Sequence, residues 1–216
     1  MISLIVTDVG HTLGTFAGPS TAEFLRALSP LDLATIAEET RRVLHRQRAL
    51  TAEHITDLCA ALLIDPDSWP DPWPTSGFEP FPYTNAALAD LKSIAPIEAL
   101  SNLPVTTGPS RMKALAAACG HHIDRIHTSY QRGMRKPDHR LWRAIAIERG
   151  VRPEDIVHIG DQWHQDILGA VAAGCRAIHV NTGHRPVPPP HTWPAGQDRI
   201  GLADNLRGAL DILRQW

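Results

Sequence analysis

Residues 2–13 read Ile2-Ser3-Leu4-Ile5-Val6-Thr7-Asp8-Val9-Gly10-His11-Thr12-Leu13. The opening of this stretch is short, rich in β-branched residues and apolar on both parities, as expected of a strand buried on both faces of a parallel sheet. Asp8 follows at the carboxyl end of that strand, and in open α/β sheets this edge is where ligands bind.

Downstream the pattern changes. Segments 21–28, 31–47 and 51–63 read as helices, each opening near Ser, Thr or Asp. Glu38 and Arg42, four apart in the second, mark a solvated face. Residues 66–82 are crowded with proline and carry Trp69, Trp73, Phe78 and Phe81, so they cannot form regular helix. They read as a structured connector from a helical insert back to the main sheet. The aromatics would pack the connector or, less economically, line a pocket under the insert. From there helices alternate with strands: helix 85–93 and strand 97–100, helix 110–118 and a strand near Ile126, helix 138–149 and strand 156–159, helix 166–173 and strand 177–180. That alternation implies βαβ units and a Rossmann-like α/β fold, a parallel sheet with helices on both faces. Residues 185–196 read as an irregular surface loop and 202–213 as a closing helix.

Composition narrows the function classes. The chain has 216 residues, 43% hydrophobic and 20% charged, with 21 Lys plus Arg against 23 Asp plus Glu. One domain with an insertion fits that length. With a formal charge of -2 there is no basic excess to suggest nucleic-acid binding. Cys59, Cys119 and Cys175 lie far apart, which argues against a disulfide scaffold or a cysteine zinc site. No apolar run approaches the roughly 18–20 residues of a membrane span, and Asp8 breaks the apolar N-terminus, against a signal peptide. The expectation is a cytoplasmic protein with no membrane or nucleic-acid partner. The 12 histidines, among them His121, His122, His158, His164 and His179, lack the HxxxH spacing of a helical metal site and read as surface and core residues.

Four segments should meet at the carboxyl edge of the sheet: 7–13 after the first strand, Ser101-Asn102 after 97–100, Arg135-Lys136-Pro137-Asp138 ahead of a helix, and Gly160-Asp161 with Asp166 five residues on. Taken singly, each has a plain structural reading. Asp161 and Asp166 could cap a helix, Asp8 and Lys136 could be turn residues, Ser101 could satisfy a strand end, and Thr12 could brace its loop. In this order, each on its own element, they resemble the haloacid dehalogenase-like (HAD) superfamily of hydrolases over nearly the whole chain. The insert resembles that family's cap, giving a core of 1–13 and 83–216 and a helical cap of 14–82.

The resemblance implies roles. Asp8 would be the nucleophile that takes a phosphoryl group as an aspartyl-phosphate, with Lys136 as a compensating cation. Mg²⁺, a hard ion that prefers oxygen ligands, would be held by Asp8, the carbonyl of Gly10, Asp161 and Asp166. Thr12, Ser101 and groups near Asn102 would donate to phosphoryl oxygens. Phe16 would shape access, and the substrate would be a small phosphorylated metabolite.

One position departs from the family. Its opening motif is DxDxT, and the second Asp is the general acid/base; here that position is Gly10. The backbone carbonyl survives but the proton shuttle does not, and such a group is typically worth ~10²–10⁴-fold in rate. The enzyme would then select substrates with good leaving groups, or His11 would stand in for the missing acid, or the fold would bind a phosphorylated ligand or a protein partner without turnover. Related branches also lack the second Asp. The phosphonatase branch needs a cap lysine, whereas the only lysines, Lys92, Lys113 and Lys136, lie outside the insert. The dehalogenase branch works without metal, and the carboxylates at 161 and 166 weigh against it.

Overall fold

The computed structural model describes residues 1–181, 183, 187, 188, 193 and 197–216. Strand β1 (Leu4–Thr7) lies at the centre of a six-stranded sheet with β4 (Ile97–Ser101), β5 (Arg125–Thr128), β6 (Ile156–Gly160), β7 (Arg176–Val180) and β8 (Ile200–Ala203), in the order β5-β4-β1-β6-β7-β8. All five pairings are parallel. The double-sided apolar pattern of β1 is used on both faces. Ile5 packs with helices α4 (Thr84–Lys92), α5 (Gly108–Cys119) and α9 (Leu206–Leu213), while Leu4 and Val6 pack with α7 (Arg140–Arg149) and α8 (Gly169–Ala173). β1 has β4 on one side and β6 on the other, so the chain order reverses at β1. That geometry opens a crevice at the carboxyl ends of β1, β4 and β6.

Between β1 and α4 the chain leaves the sheet. β2 (Gly14–Phe16) and β3 (Phe78–Pro80) pair antiparallel, with Gly14 opposite Pro80, and between them run helices α1 (Thr21–Arg26), α2 (Leu33–Val43) and α3 (Ala52–Leu62). A Cβ at position 14 would lie 2.2 Å from the Glu79 carbonyl oxygen, so only glycine allows this close crossing. Each helix begins on a side-chain cap, from Ser20, Asp32 and Thr51. Leu25, Ile36, Leu44, Leu58 and Leu62 give the insert a core of its own. Trp69 and Trp73 from the connector pack against it edge to face, their ring centroids 5.3 Å apart. The insert meets the main body where Val105 N–H donates to the Leu44 carbonyl at 2.8 Å.

The structure differs from the sequence reading at several points. The β2–β3 pair was not expected. Its strands are three residues each, too short for alternation to register. The stretch read as one closing helix is strand β8 followed by α9. Asn205 separates them, its side chain capping the helix by accepting from the N–H groups of Arg207 and Gly208. The expected helix 166–173 starts earlier, as a π-helical turn over Trp163–Leu168 that passes into α8. A short helix, α6 (Ser129–Arg132), follows β5. On the solvated face of α2, Arg42 pairs with Glu39, the neighbour of Glu38. The loop read over 185–196 falls largely outside the described residues. All three cysteines are free and buried. Among the described residues no helix is long and apolar enough to cross a membrane.

Candidate active site

The carboxyl ends of β1, β4 and β6 deliver three of the expected residues directly. Asp8 follows β1, where its N–H donates to the Ile159 carbonyl of β6 at 2.8 Å. Ser101 ends β4 and Asp161 follows β6. Lys136 arrives from the loop ahead of α7 and Asp166 from the π-helical turn after β6, and all five side chains are buried.

Lys136 is the hub. Its Nζ lies 2.5 Å from Asp8 Oδ1 and 2.6 Å from Asp166 Oδ1. The Asn102 side chain holds its main chain, accepting from the Lys136 N–H at 2.9 Å and donating to its carbonyl at 3.1 Å. The same amide donates to Gln165 Oε1 at 2.6 Å. Asn102 therefore lines the cavity while its side chain fixes Lys136. Thr12 Oγ1 donates to Asp8 Oδ2 at 3.4 Å, a loose brace on the carboxylate. Ser101 lines the same cavity, of about 300 Å³, with Asp8, Gly10, Lys136 and Phe16.

Asp166 is fixed from three sides. Besides Lys136, the Gln162 N–H donates to its Oδ2 at 2.9 Å, and His158 Nε2 lies 3.2 Å from Oδ1. Its approach depends on a glycine, since a Cβ at position 160 would sit 2.4 Å from Asp166 Cγ. Sequence reasoning placed His158 among ordinary core histidines and assigned Gly160 no packing role; an imidazole inside an otherwise apolar strand was the available signal.

The electrostatics follow from burial and charge. Burial pushes the Asp8 carboxyl up, opposed by Lys136 and reinforced by Asp166, and the net shift is upward. For Asp166 burial pushes the same way, but Lys136 and His158 outweigh it and hold the carboxyl well below its usual range. Burial alone would lower Lys136, yet the two carboxylates raise it above an ordinary lysine, so it stays charged. His158 is driven down chiefly by burial.

Asp8, Asp161 and Asp166 each present a carboxylate oxygen, and these atoms lie within 4.8 Å of one another. Three ionised carboxylates against one ammonium leave a net charge of about -2 in a buried space, which is costly without a compensating cation. The donors are hard oxygens, the set a divalent ion such as Mg²⁺ takes. The residues present therefore fit a divalent metal.

At Gly10 a Cβ would meet nothing within 4 Å, so the space an acid/base side chain would fill is open. The next residue, His11, has φ 61°, a left-handed conformation that costs a non-glycine residue about 1–2 kcal/mol. His11 lines the cavity. Strain held beside buried charged groups is a mark of functional sites.

A family profile described as HAD-hydrolase-like matches residues 133–209, which include Lys136, Asp161 and Asp166. That match covers about a third of the chain, and over it the chain is similar to haloacid dehalogenase-like hydrolases. A phosphoserine phosphatase of Thermus thermophilus is 39% identical over 79 residues, 37% of this chain and 32% of that protein. A glyceraldehyde 3-phosphate phosphatase of Methanothermobacter thermautotrophicus is 32% identical over 135 residues, 62% of this chain and 58% of the relative. The chain thus spans less than two thirds of either relative. Among solved structures, a 2-haloacid dehalogenase from Pseudomonas syringae superposes over 100% of both chains with a TM-score of 0.67 at 20% identity. That likeness concerns the HAD fold alone.

Proposed function

We propose that this HAD-like chain is a Mg²⁺-dependent phosphatase that forms an aspartyl-phosphate at Asp8 and favours substrates with good leaving groups. The observation that carries it is the Lys136 ammonium set between Asp8 and Asp166 at 2.5 and 2.6 Å, with Asp161 completing a three-carboxylate cluster. The phosphatases among its relatives support a small phosphorylated substrate.

Asp8 Oδ2, held only by the long contact from Thr12, would attack phosphorus in line with the leaving oxygen. Lys136 holds positive charge beside the attacking carboxylate and the incoming dianion, and the Ser101 hydroxyl donates to a phosphoryl oxygen. Asp8, Asp161, Asp166 and the Gly10 carbonyl would hold the cation. When bound, the ion neutralises phosphoryl charge and fixes the phosphate's orientation. The departing oxygen finds no proton donor at position 10, which favours acyl and aryl phosphates over alkyl esters. Residues 14–82 would act as the cap over a core of 1–13 and 83–216, excluding water when closed.

The test is phosphate release with Mg²⁺ from acyl, aryl and alkyl phosphates. Asp8→Asn is expected to lower turnover by at least about 10³-fold. Gly10→Asp, whose side chain enters open space, should raise alkyl ester turnover selectively, by up to about 10²–10⁴-fold. Turnover indifferent to Asp8→Asn overturns the nucleophile. Binding of phosphate esters without turnover of any favours the binding-module reading, and metal-independent halide release favours dehalogenation.

A further inference from the structure

A second cavity of about 300 Å³ adjoins the first, sharing Ser20, Asn102, Arg111, Gln162 and Gln165 as a common wall. Its character differs. Arg41, Arg111 and Arg135 line it, and no carboxylate does among the described residues. None of the three guanidinium groups lies within ion-pair distance of a carboxylate among those residues; Glu23, on the wall of the first cavity, acts on Arg111 only at longer range. Arg135 Nε is buried with no hydrogen-bond partner. Arg111 is partly committed, donating to the Pro19 carbonyl at 3.1 Å and lying over the Phe16 ring at 5.0 Å.

Three cations gathered without an anion cost free energy, and the neighbouring groups register it. Burial first, then Arg41 and Arg46, pull Arg135 down. His45 on the same wall is pulled down to about 3, by burial and then by Arg135, Arg41 and Arg111, so it is neutral at pH 7. Arg111 borders both cavities, whereas Arg41 and Arg135 line only the second, set apart from Lys136 and the proposed metal that serve the phosphoryl group. Arg41 comes from α2 of the insert, whereas Arg111 and Arg135 belong to the main body, so an anion here would also tie the two together.

We infer that Arg41, Arg111 and Arg135 form a second anion subsite, and that the substrate is a phosphate ester carrying a second anionic group, a carboxylate or another phosphate. Planar guanidinium groups match both anions through paired hydrogen bonds. The inference rests on the hydrolase reading for the word substrate, but the subsite itself does not depend on turnover.

Calorimetric binding with Mg²⁺ present tests it, using methylphosphonate, 3-phosphonopropionate and propane-1,3-bisphosphonate as non-hydrolysable probes. At least one bis-anion is expected to bind the wild type about tenfold or more tighter than methylphosphonate, and the tighter of the two identifies the second group. That preference should collapse in Arg41→Gln, an exposed position that leaves folding intact, and in Arg135→Lys, but persist in Arg207→Gln on the distant α9. Methylphosphonate binding as tightly as both bis-anions, no measurable binding of either bis-anion, or a preference that survives Arg41→Gln and Arg135→Lys overturns the subsite. A bis-anion preference in a protein that hydrolyses no ester overturns the phosphatase reading and leaves the subsite standing.

Discussion

Asp166 reaches its place only because residue 160 has no side chain. The Cβ of an alanine there would overlap Asp166 Cγ at 2.4 Å, and Asp166 would have to give up its contacts with Lys136 or the Gln162 N–H. Gly160→Ala should therefore lower divalent-metal affinity about 10–100-fold, the scale on which groups supporting a metal site act, as read by Mg²⁺ titration calorimetry. An unchanged affinity would show that the carboxylate at 166 is not part of the ion's surroundings. Asn102 illustrates a different lesson. Its place after β4 was legible from sequence, but what its amide touches was not, because Lys136 lies 34 residues away and spacing along the chain cannot report such a contact.

At the level of elements, the sheet carries a buried polar seam away from the cavity. Glu98, in the middle of β4 and fully buried, meets His127 Nε2 of β5 at 2.6 Å and the Arg149 guanidinium of α7. Burial pushes the Glu98 carboxyl up, but His127 and Arg149 together outweigh it and hold the carboxyl below its ordinary range. A carboxyl lowered on folding stabilises the native state above its unfolded value, and that contribution disappears as pH falls through the folded value. Glu98→Gln is expected to cost about 3 kcal/mol at pH 7, near the low end for breaking a buried pair because Arg149 keeps contact with water. The gap between wild type and variant should narrow as pH drops below the ordinary carboxylate range. Urea melts at several pH values measure this, and a gap that widens in acid would refute it. The sequence made β1, β4, β6 and β7 legible because an apolar run between turn signals has few other readings. It hid β2, β3 and β8, which are too short or too close to a helix for periodicity to separate them.

Across the molecule, a single buried cluster links stability to metal. Three carboxylates within 4.8 Å repel one another when no ion is bound, so a divalent cation should stabilise the native state. At about a hundred times its dissociation constant the gain is roughly 2.7 kcal/mol. For a chain of this size each kilocalorie moves the melting temperature about 2–4 °C, so Mg²⁺ should raise it by roughly 5–10 °C in a thermal melt. Asp161→Asn should lose that rise and, with one charge fewer, melt above the wild type when both are metal-free. A wild-type melting temperature indifferent to Mg²⁺ contradicts the metal assignment. The convergence of residues 8, 101, 136, 161 and 166 was readable because a parallel sheet brings its strand ends together. The meeting of Arg41, Arg111 and Arg135 was not, since it depends on how the insert docks.

The paired strands β2 and β3 carry one further implication. Outgoing and returning chains run side by side, with Phe16 opposite Phe78, so the helices between them hang from a two-lane bridge whose lanes are about 5 Å apart. A tight Asn-Gly reversal joining residue 16 to residue 78 spans that gap. The chain thus has the layout of an interchangeable module, in which inserts of other sizes could be grafted while the parallel sheet beneath stays as it is.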